Sequence, residues 1–398
     1  MSTNDKESTI PSPSPVVTPT APSKFWKHAK TALGHVLDQW FLIALGIVVA
    51  IASQVQVAES QQHTKSTVVS YLCVCVVFLL TGLTLSTRAL FTNYKRIGLH
   101  LYVQGFCFLI DSASVFAVMT LFGTNHHLMD PGLLVGFVFM GCVPTTISSN
   151  VVMTRSAHGN EAVTVVESTI GNVLAPFISP LLIRMYLLSG AWWTQSLDQF
   201  TSGSLTALYR RVFKQLGLSM LIPLFVGQVI QNLFPKITKK IMTEYKVGKL
   251  SSLALLVIVW SAYDAAFATG AFDTIPSSNS IIVVFISIAF YIVWLALGVS
   301  TARLLFKFNK RDTVSIAYCV PAKTPAMGVP LATSMFVGLD ASTRAKLQIP
   351  LVIFQGLQIA MGSLLVPAFR NWVRDEEERE KALLEGKNTG KERESGNV

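Results

Sequence analysis

Long apolar blocks separated by short polar segments make up most of this chain, and their lengths predict helices that cross a membrane. We count ten blocks, at residues 39–55, 68–85, 97–122, 131–154, 162–188, 212–234, 251–270, 280–306, 312–336 and 347–369. A run of about 20 apolar residues spans a bilayer as a helix. Backbone groups inside lipid must be paired within their own segment, which favours helices. The pattern therefore predicts an all-α polytopic membrane protein with ten transmembrane helices.

Composition and charge agree with a membrane protein. Of the 398 residues, 51% are hydrophobic and only 14% are charged, whereas about a quarter of a soluble protein is charged. The formal charge of +10 is compatible with nucleic-acid binding. The lysines and arginines lie mostly in short segments after blocks two, six and eight, however, which is typical of membrane orientation. We therefore expect no nucleic-acid partner, and we expect both termini in the cytosol. Lys65, Arg344, Lys346 and the basic residues at 210–214 fit this orientation poorly.

The ten blocks divide into two sets of five, which predicts an inverted repeat because the second set enters the membrane from the opposite side. We assign residues 35–190 to the first five-helix repeat and 210–370 to the second, joined by a loop at 191–209. Residues 1–34 are rich in Ser, Thr and Pro and predict a disordered cytosolic tail. Residues 371–398 predict a charged cytosolic tail.

Blocks four and nine contain the same tripeptide, Cys-Val-Pro, at 142–144 and 319–321. The prolines and the polar residues that follow them are Pro144, Thr145, Ser149, Asn150, Pro321, Lys323 and Thr324. Proline removes a backbone donor and breaks a helix, and broken backbone in a membrane survives only inside protein or along a wet cavity. Two broken helices in matching positions predict a crossing that holds an ion or an anionic group. The alternative is that these residues only kink and pack the helices.

The stretch at 141–150, together with Gly159-Asn160-Glu161-Ala162 and Glu167-Ser168-Thr169, resembles the bile acid:sodium symporter family. More narrowly, it resembles the solute carrier family 10 member 7 branch and its fungal relatives, over about residues 35–370. The resemblance implies two inverted five-helix repeats that form a panel and a core domain, with helices four and nine broken and crossed. It also implies sodium-coupled uptake of organic anions in many members.

The resemblance carries sodium-site residues onto this chain. The first sodium site matches Ser149, Asn150, Thr164 and Ser168, the last two after a one-residue gap before Gly159. Gln104 matches a ligand of the second site. Sodium-coupled members have a glutamate and a glutamine in span nine, where this chain has Cys319 and Lys323. We therefore expect weakened sodium binding, no certain metal site and no other cofactor.

Four ionisable residues fall inside the predicted spans, where charge is costly and usually functional: Asp111, Glu167, Asp264 and Lys323. We predict that Lys323 takes the place of a coupling cation and pairs with an acid, Glu167, because a lone buried charge is strongly unfavourable. The alternatives are that Lys323 reaches the cytosol or binds an anionic substrate directly. For Asp264, a position at the outer end of span seven without a functional role is an equally good interpretation.

Three classes of function are compatible with the sequence. The member 7 branch is linked to cellular calcium control, so the resemblance implies a solute or ion transporter, or a transporter-derived negative regulator of a calcium-entry protein. The alternative is a sodium-coupled symporter of an organic anion such as a bile-acid-like or sulfated solute. An enzyme is disfavoured, because the histidines lie outside the spans or at their edges and neither HExxH nor GxSxG occurs. The expected partners are the lipid bilayer and a small solute or ion, in the plasma membrane or a secretory membrane.

Overall fold

The computed structural model describes residues 40–85, 87, 92–93, 95–197, 204–245 and 247–395, with side chains described as far as Asp375. The chain divides into the units Met1–Ile43 and Ala44–Val398. Of the first unit, only Trp40–Ile43, the beginning of a helix, is described. The predicted N-terminal tail at 1–34 lies outside the described residues.

The described residues form helices and connecting segments, with no β-strand among them. In chain order the helices are α1 Trp40–Gln54, α2 Glu59–Thr84, α3 Ile97–Phe122, α4 Pro131–Cys142, α5 Ser148–Ser156, α6 Glu161–Leu187, α7 Leu205–Leu233, α8 Pro235–Glu244, α9 Gly248–Ala268, α10 Ser277–Leu304, α11 Lys310–Cys319, α12 Pro325–Met335, α13 Ala341–Lys346 and α14 Ile349–Ser395. Single π-turns interrupt α3 at Phe106–Ile110 and α7 at Gly217–Leu221.

Seven helical segments of the described chain are long and apolar enough to cross a membrane. They are α2, α3, α6, α7, α9, α10 and the segment from α13 through Asp375. Helices α1 and α4 are apolar but shorter. These lengths confirm the prediction of an all-helical membrane protein.

Two of the predicted blocks are each interrupted near their Cys-Val-Pro tripeptide, as the prolines predict. Helix α4 ends at Cys142 and α5 begins at Ser148, and α11 ends at Cys319 and α12 begins at Pro325. Val143 and Thr324 both have extended backbone, because each precedes a proline whose ring disfavours the helical conformation. Pro325 then starts α12 at the first helical position, where a missing N–H costs nothing.

The helices pack as two sets, and one of them is built on α2. Helix α2 packs along α7 and α9, and Gly82 of α2 faces Gly227 of α7 so closely that a side chain on either would overlap the other helix's backbone. In the other set, α3 packs on α4, and α10 packs on α11 and α14. Helix α11 packs on α10 and α5 in this second set, whereas α12 packs mainly on α7, α2 and α9 of the first. The interruption between α11 and α12 therefore lies where the two sets meet.

Polar contacts join the helix ends. At the end predicted to face the cytosol, Arg96 pairs with Asp312, and Asn160 Nδ2 donates to Asp312 Oδ1 at 2.7 Å. This hydrogen bonding raises the pKa of the Arg96 guanidinium.

Two of the lysines that fit the predicted orientation poorly have acidic partners. Lys346 lies 2.8 Å from Asp130, and Lys65 pairs with Asp264. Each positive charge is neutralised locally, which explains why these lysines do not follow the loop pattern.

Candidate functional site

The two interruptions meet, and hydrogen bonds hold them together. The backbone N–H of Thr324 donates to the Pro144 carbonyl at 3.0 Å. From α6, Asn172 Nδ2 donates to the Thr145 carbonyl at 2.9 Å, and Ser179 Oγ donates to the Cys142 carbonyl at 2.7 Å. Carbonyls that the broken helices leave without helical partners are therefore paired by neighbouring side chains, as a membrane interior requires.

Lys323 is fully buried at this crossing. Its Nζ donates to the carbonyls of Cys107 at 2.9 Å and Gly141 at 3.1 Å, and it lies 5.3 Å from the centre of the Trp294 ring. The ammonium also lies 2.9 Å from Asp111 Oδ2. That contact is an ion pair, and Asp111 has no side-chain partner other than Lys323 among the described residues.

The predicted pair between Lys323 and Glu167 is wrong. Asp111 is the acid at Lys323, whereas Glu167 Oε1 lies 2.5 Å from His100 Nδ1. The π-turn directly before Asp111 adds a residue to the turn, and such a turn rotates everything that follows it around the helix axis. Asp111 thereby faces the crossing and is fully buried. His100, at the edge of a predicted span, is the partner of Glu167.

The residues matched to the first sodium site are linked through neighbouring side chains. Thr164 Oγ1 donates to Thr154 Oγ1 at 2.9 Å, and Thr154 lies one turn after Asn150 on α5. Asn172 Nδ2 donates to the carbonyls of both Thr145 and Ser168. Asn150 Nδ2 donates to Thr145 Oγ1 at 2.9 Å. Thr164 and Ser168 lie against Cys319, whose Sγ is 3.9 Å from the Thr164 carbonyl and 3.9 Å from Ser168 Oγ. No hydrogen bond of the described residues joins Asn150 to Thr164 or Ser168.

Two oxygens of the residues matched to this site have no hydrogen-bond partner in the described part of the chain. Ser149 Oγ and Asn150 Oδ1 are buried without a hydrogen bond among the described residues. Buried acceptors are normally paired, and oxygen atoms of this kind suit a hard cation. No group of three or more His, Cys, Asp or Glu side chains that could hold a metal occurs in the described part of the chain.

Gln104, matched to the second sodium site, donates its side-chain hydrogen bonds to Glu167. Its Nε2 donates to the Glu167 carbonyl at 2.9 Å and to Glu167 Oε2 at 3.0 Å. Gln104 Oε1 has no partner among the described residues.

Gln358 of α14 holds the second interruption and was not among the predicted site residues. Gln358 Oε1 accepts from the backbone N–H of Lys323 at 2.7 Å, and its Nε2 donates to the Lys323 carbonyl at 2.8 Å. The same amide donates to Gln355 Oε1. Two glutamines three residues apart in an otherwise apolar block were the available signal, because residues at this spacing share one face of a helix.

A cavity of about 680 Å³ lies between the two helix sets. Its lining includes Thr81 and Thr84 of α2, Lys239 of α8, Ser251 of α9 and Ser148 of α5. A much smaller void continues from Ser148 and Ser251 to Asn172 and Thr324 at the crossing. The hydroxyls of Ser148 and Ser251 lie 3.2 Å apart where the cavity and the void meet.

Comparison with known proteins connects this geometry to a family. The sequence pattern of the SBF-like CPA transporter family (DUF4137) matches residues 39–371. The chain belongs to the SBF-like CPA transporter family. It is 35% identical over 387 residues to "Solute carrier RCH1" of Candida albicans, covering 89% of this chain and 94% of that protein.

Two further relatives agree with this assignment. The chain is 33% identical over 385 residues to "Solute carrier RCH1" of Saccharomyces cerevisiae, covering 88% of this chain and 87% of that protein. It is 28% identical over 346 residues to "Sodium/bile acid cotransporter 7" of Rattus norvegicus, covering 86% of this chain and 95% of that protein. The matches confirm the resemblance to the bile acid:sodium symporter family and its member 7 branch, and they identify the chain as a membrane transporter of the SBF type rather than an enzyme.

Proposed function

We propose that this SBF-like transporter moves a small solute through the crossing of its two interrupted helices, and that it thereby controls cellular calcium. The observation that carries the proposal is the cavity of about 680 Å³ that ends, at Ser148 and Ser251, against the crossing. A solute in this cavity lies between two helix sets. Movement of one set against the other would expose the solute to the opposite side.

The proposed architecture has ten spans in two inverted five-helix repeats. The first repeat comprises α1, α2, α3, the pair α4–α5 and α6, and the second comprises α7, α9, α10, the pair α11–α12 and α14. Both interruptions fall at the fourth position of their repeat, which supports the proposal because broken helices at matching positions are a feature of inverted-repeat transporters. We further propose that both termini are cytosolic and that the chain resides in the plasma membrane.

Lys323 sets the proposed mechanism apart from sodium coupling. Its ammonium carries three donors and no acceptor, and it is already directed at two carbonyls and at Asp111. A bound cation would make similar contacts, so we propose that the Lys323 side chain supplies the positive charge that sodium supplies in sodium-coupled relatives. The crossing then stays neutral throughout the cycle without taking up an ion at this position.

The proposed link to calcium rests on the resemblance to the member 7 branch. The chain acts either by moving a solute or an ion itself, or as a transporter-derived negative regulator of a calcium-entry protein. The two forms differ in one measurable property, since only the first requires flux through the purified protein.

A sodium-coupled symporter of an organic anion is the second candidate, and one observation favours it. Ser149 Oγ and Asn150 Oδ1 are buried oxygens without partners in the described part of the chain. They lie beside the crossing, and both match the first sodium site. A sodium ion there would pair them, while Cys319 in place of the usual carboxylate would weaken its binding.

Blocking the cavity tests the proposed transport. We would reconstitute purified Ser251→Trp protein into vesicles and measure uptake of a panel of labelled inorganic cations and organic anions. The indole would fill the inner end of the cavity, so we expect a loss of flux. Leu250→Trp is the matched control because Leu250 precedes Ser251 but is exposed away from the cavity.

The outcomes separate the candidates. Flux that persists in Ser251→Trp would show that solute does not use this cavity. If the unmodified protein moves no solute in vesicles and yet restores calcium tolerance to cells, the regulator form is supported.

A further inference from the structure

Helix α8 is a short helix held between two membrane-crossing helices. It begins at Pro235, directly after α7 and Phe234, and α9 follows four residues after its end. Its ten residues extend about 15 Å, which is half of the roughly 30 Å hydrocarbon core. A helix of this length cannot cross the core, so a position at the membrane surface fits α8.

The first side of α8 is apolar and exposed. Phe234, Ile237, Ile241 and Tyr245 follow one another at spacings of three and four residues, and they are between 41% and 71% exposed. The spacing places Ile237 and Ile241 on one face of α8, and Phe234 and Tyr245 flank the helix at its two ends. A continuous exposed apolar stripe of this kind marks an interaction surface.

The other two sides differ from the first and from each other. Lys236 and Lys240 are exposed, and Lys240 lies 3.8 Å from Glu244 one turn along the helix. The remaining side lines the large cavity through Pro235, Thr238, Lys239 and Met242. Helix α8 therefore has an apolar side, a charged side and a cavity side.

We propose that α8 is an interfacial helix whose apolar stripe inserts into the lipid leaflet and whose lysines bind anionic phospholipid headgroups. Charge complementarity selects these lipids, because the segment at 234–249 carries five lysines and a single glutamate. An amphipathic helix with lysines beside its apolar face binds anionic membrane surfaces in this way.

Lipid binding at α8 also fixes one wall of the cavity, because Thr238, Lys239 and Met242 lie on the same ten residues. This part of the inference rests on the proposed transport function. The leaflet then contributes to the shape of the solute pathway through α8.

Hydrogen exchange of the full-length protein tests the lipid contact. We would purify the protein into nanodiscs of phosphatidylcholine alone and of phosphatidylcholine with phosphatidylserine, and follow amide exchange at 234–245 by mass spectrometry. A helix this short is marginally stable in water, so its protection depends on what it contacts. We expect exchange to slow by about 30-fold with phosphatidylserine, the change that two lysines at an anionic surface produce.

Two double variants decide whether the lysines are responsible. Lys236→Gln with Lys240→Gln should abolish the dependence on phosphatidylserine. Lys95→Gln with Lys307→Gln removes the same charge from exposed positions elsewhere and should preserve it. Ile237→Gln with Ile241→Gln should speed exchange in both lipids by weakening insertion.

Equal exchange in the two lipids would overturn the proposal. An equal loss of the phosphatidylserine dependence in both double lysine variants would also overturn it. Protection that depends on protein concentration rather than on lipid would show that the stripe binds a second copy of the chain, which also overturns it. Hydrogen exchange does not depend on flux, so its result can be interpreted even if the proposed transport function fails.

Discussion

Two buried lysine–aspartate pairs, each beside a tryptophan, differ in how completely the acid is paired. Asp264 pairs with Lys65 and also accepts from the Val57 backbone N–H at 2.9 Å and from Gln62 Nε2 at 2.8 Å. Among the described residues, Asp111 has Lys323 as its one partner and no further donor. The indoles are at similar distances, 5.4 Å from Lys65 and 5.3 Å from Lys323.

This difference distinguishes a structural contact from a candidate functional one. The Asp264 carboxylate connects the segment before α2 to α9, and both of its oxygens accept hydrogen bonds. The Asp111 carboxylate is desolvated and depends on one ammonium, so its free energy is sensitive to any movement of Lys323. We therefore expect the first pair to stabilise the fold and the second to take part in transport.

Removing Lys323 should have the largest effect. Lys323→Met leaves Asp111 buried and unpaired, which costs about 3–5 kcal/mol of unfolding free energy, and flux should be lost. Adding Asp111→Asn should recover part of that stability because the uncompensated charge is gone. Thermal unfolding of the two single variants and the double variant gives the coupling energy, and additive losses would contradict an interacting pair.

Removing Gln358 should have the next largest effect. Gln358→Met leaves the N–H and carbonyl of Lys323 without partners, at about 1–3 kcal/mol for each buried group. We expect a lower unfolding temperature and reduced flux, because the second interruption loses its support. Gln348→Met serves as the control, since in the described part of the chain the Gln348 side chain makes a single hydrogen bond, 3.4 Å long, to the Arg344 carbonyl. Similar losses in both variants would show that Gln358 has no special role at the crossing.

Removing Lys65 should cost less than removing Lys323, although both lysines pair with a buried acid. In Lys65→Met, Asp264 keeps the donors from Val57 and Gln62. The expected loss is about 1.5 kcal/mol, the lower end for hydrogen bonds to charged groups. Flux per folded molecule should be unchanged. A flux defect as large as that of Lys323→Met would remove the distinction between the two pairs.

Removing the exposed pair of Arg155 and Glu161 should have the smallest effect on the unfolding free energy. Both side chains reach solvent, with 65% and 39% exposure, so water and salt screen their attraction. Arg155→Gln with Glu161→Gln should change the unfolding free energy by less than about 1 kcal/mol. Thermal unfolding at low and high salt measures the change, and a larger loss would mean that the network around Asn160 depends on this pair.

The sequence predicted the all-helical class and the two helix interruptions because the signals for both are local. Apolar block length identified the helices, and Pro144 and Pro321 marked both interruptions, since proline acts on its own turn of backbone. The block pattern did not predict α8, because its ten residues are too few to span a membrane and lie in the basic segment after block six.

The partner of Lys323 could not be read from the sequence. Asp111 and Glu167 were both visible as charges within spans, but choosing between them requires the rotation of α3 about its axis. The π-turn at Phe106–Ile110 changes that rotation, and no sequence pattern identified it. The same limit applies to Gln358, whose two contacts depend on where α14 passes the second interruption.

Sodium-specific stabilisation of the unmodified protein tests most directly whether Lys323 takes the place of a coupling ion. The measurement is thermal unfolding of the purified protein in sodium chloride and in potassium chloride at equal ionic strength. We predict the same unfolding temperature in both salts, because the Lys323 ammonium already occupies the crossing. A higher unfolding temperature in sodium, rising with its concentration, would contradict the account and favour a sodium-coupled symporter.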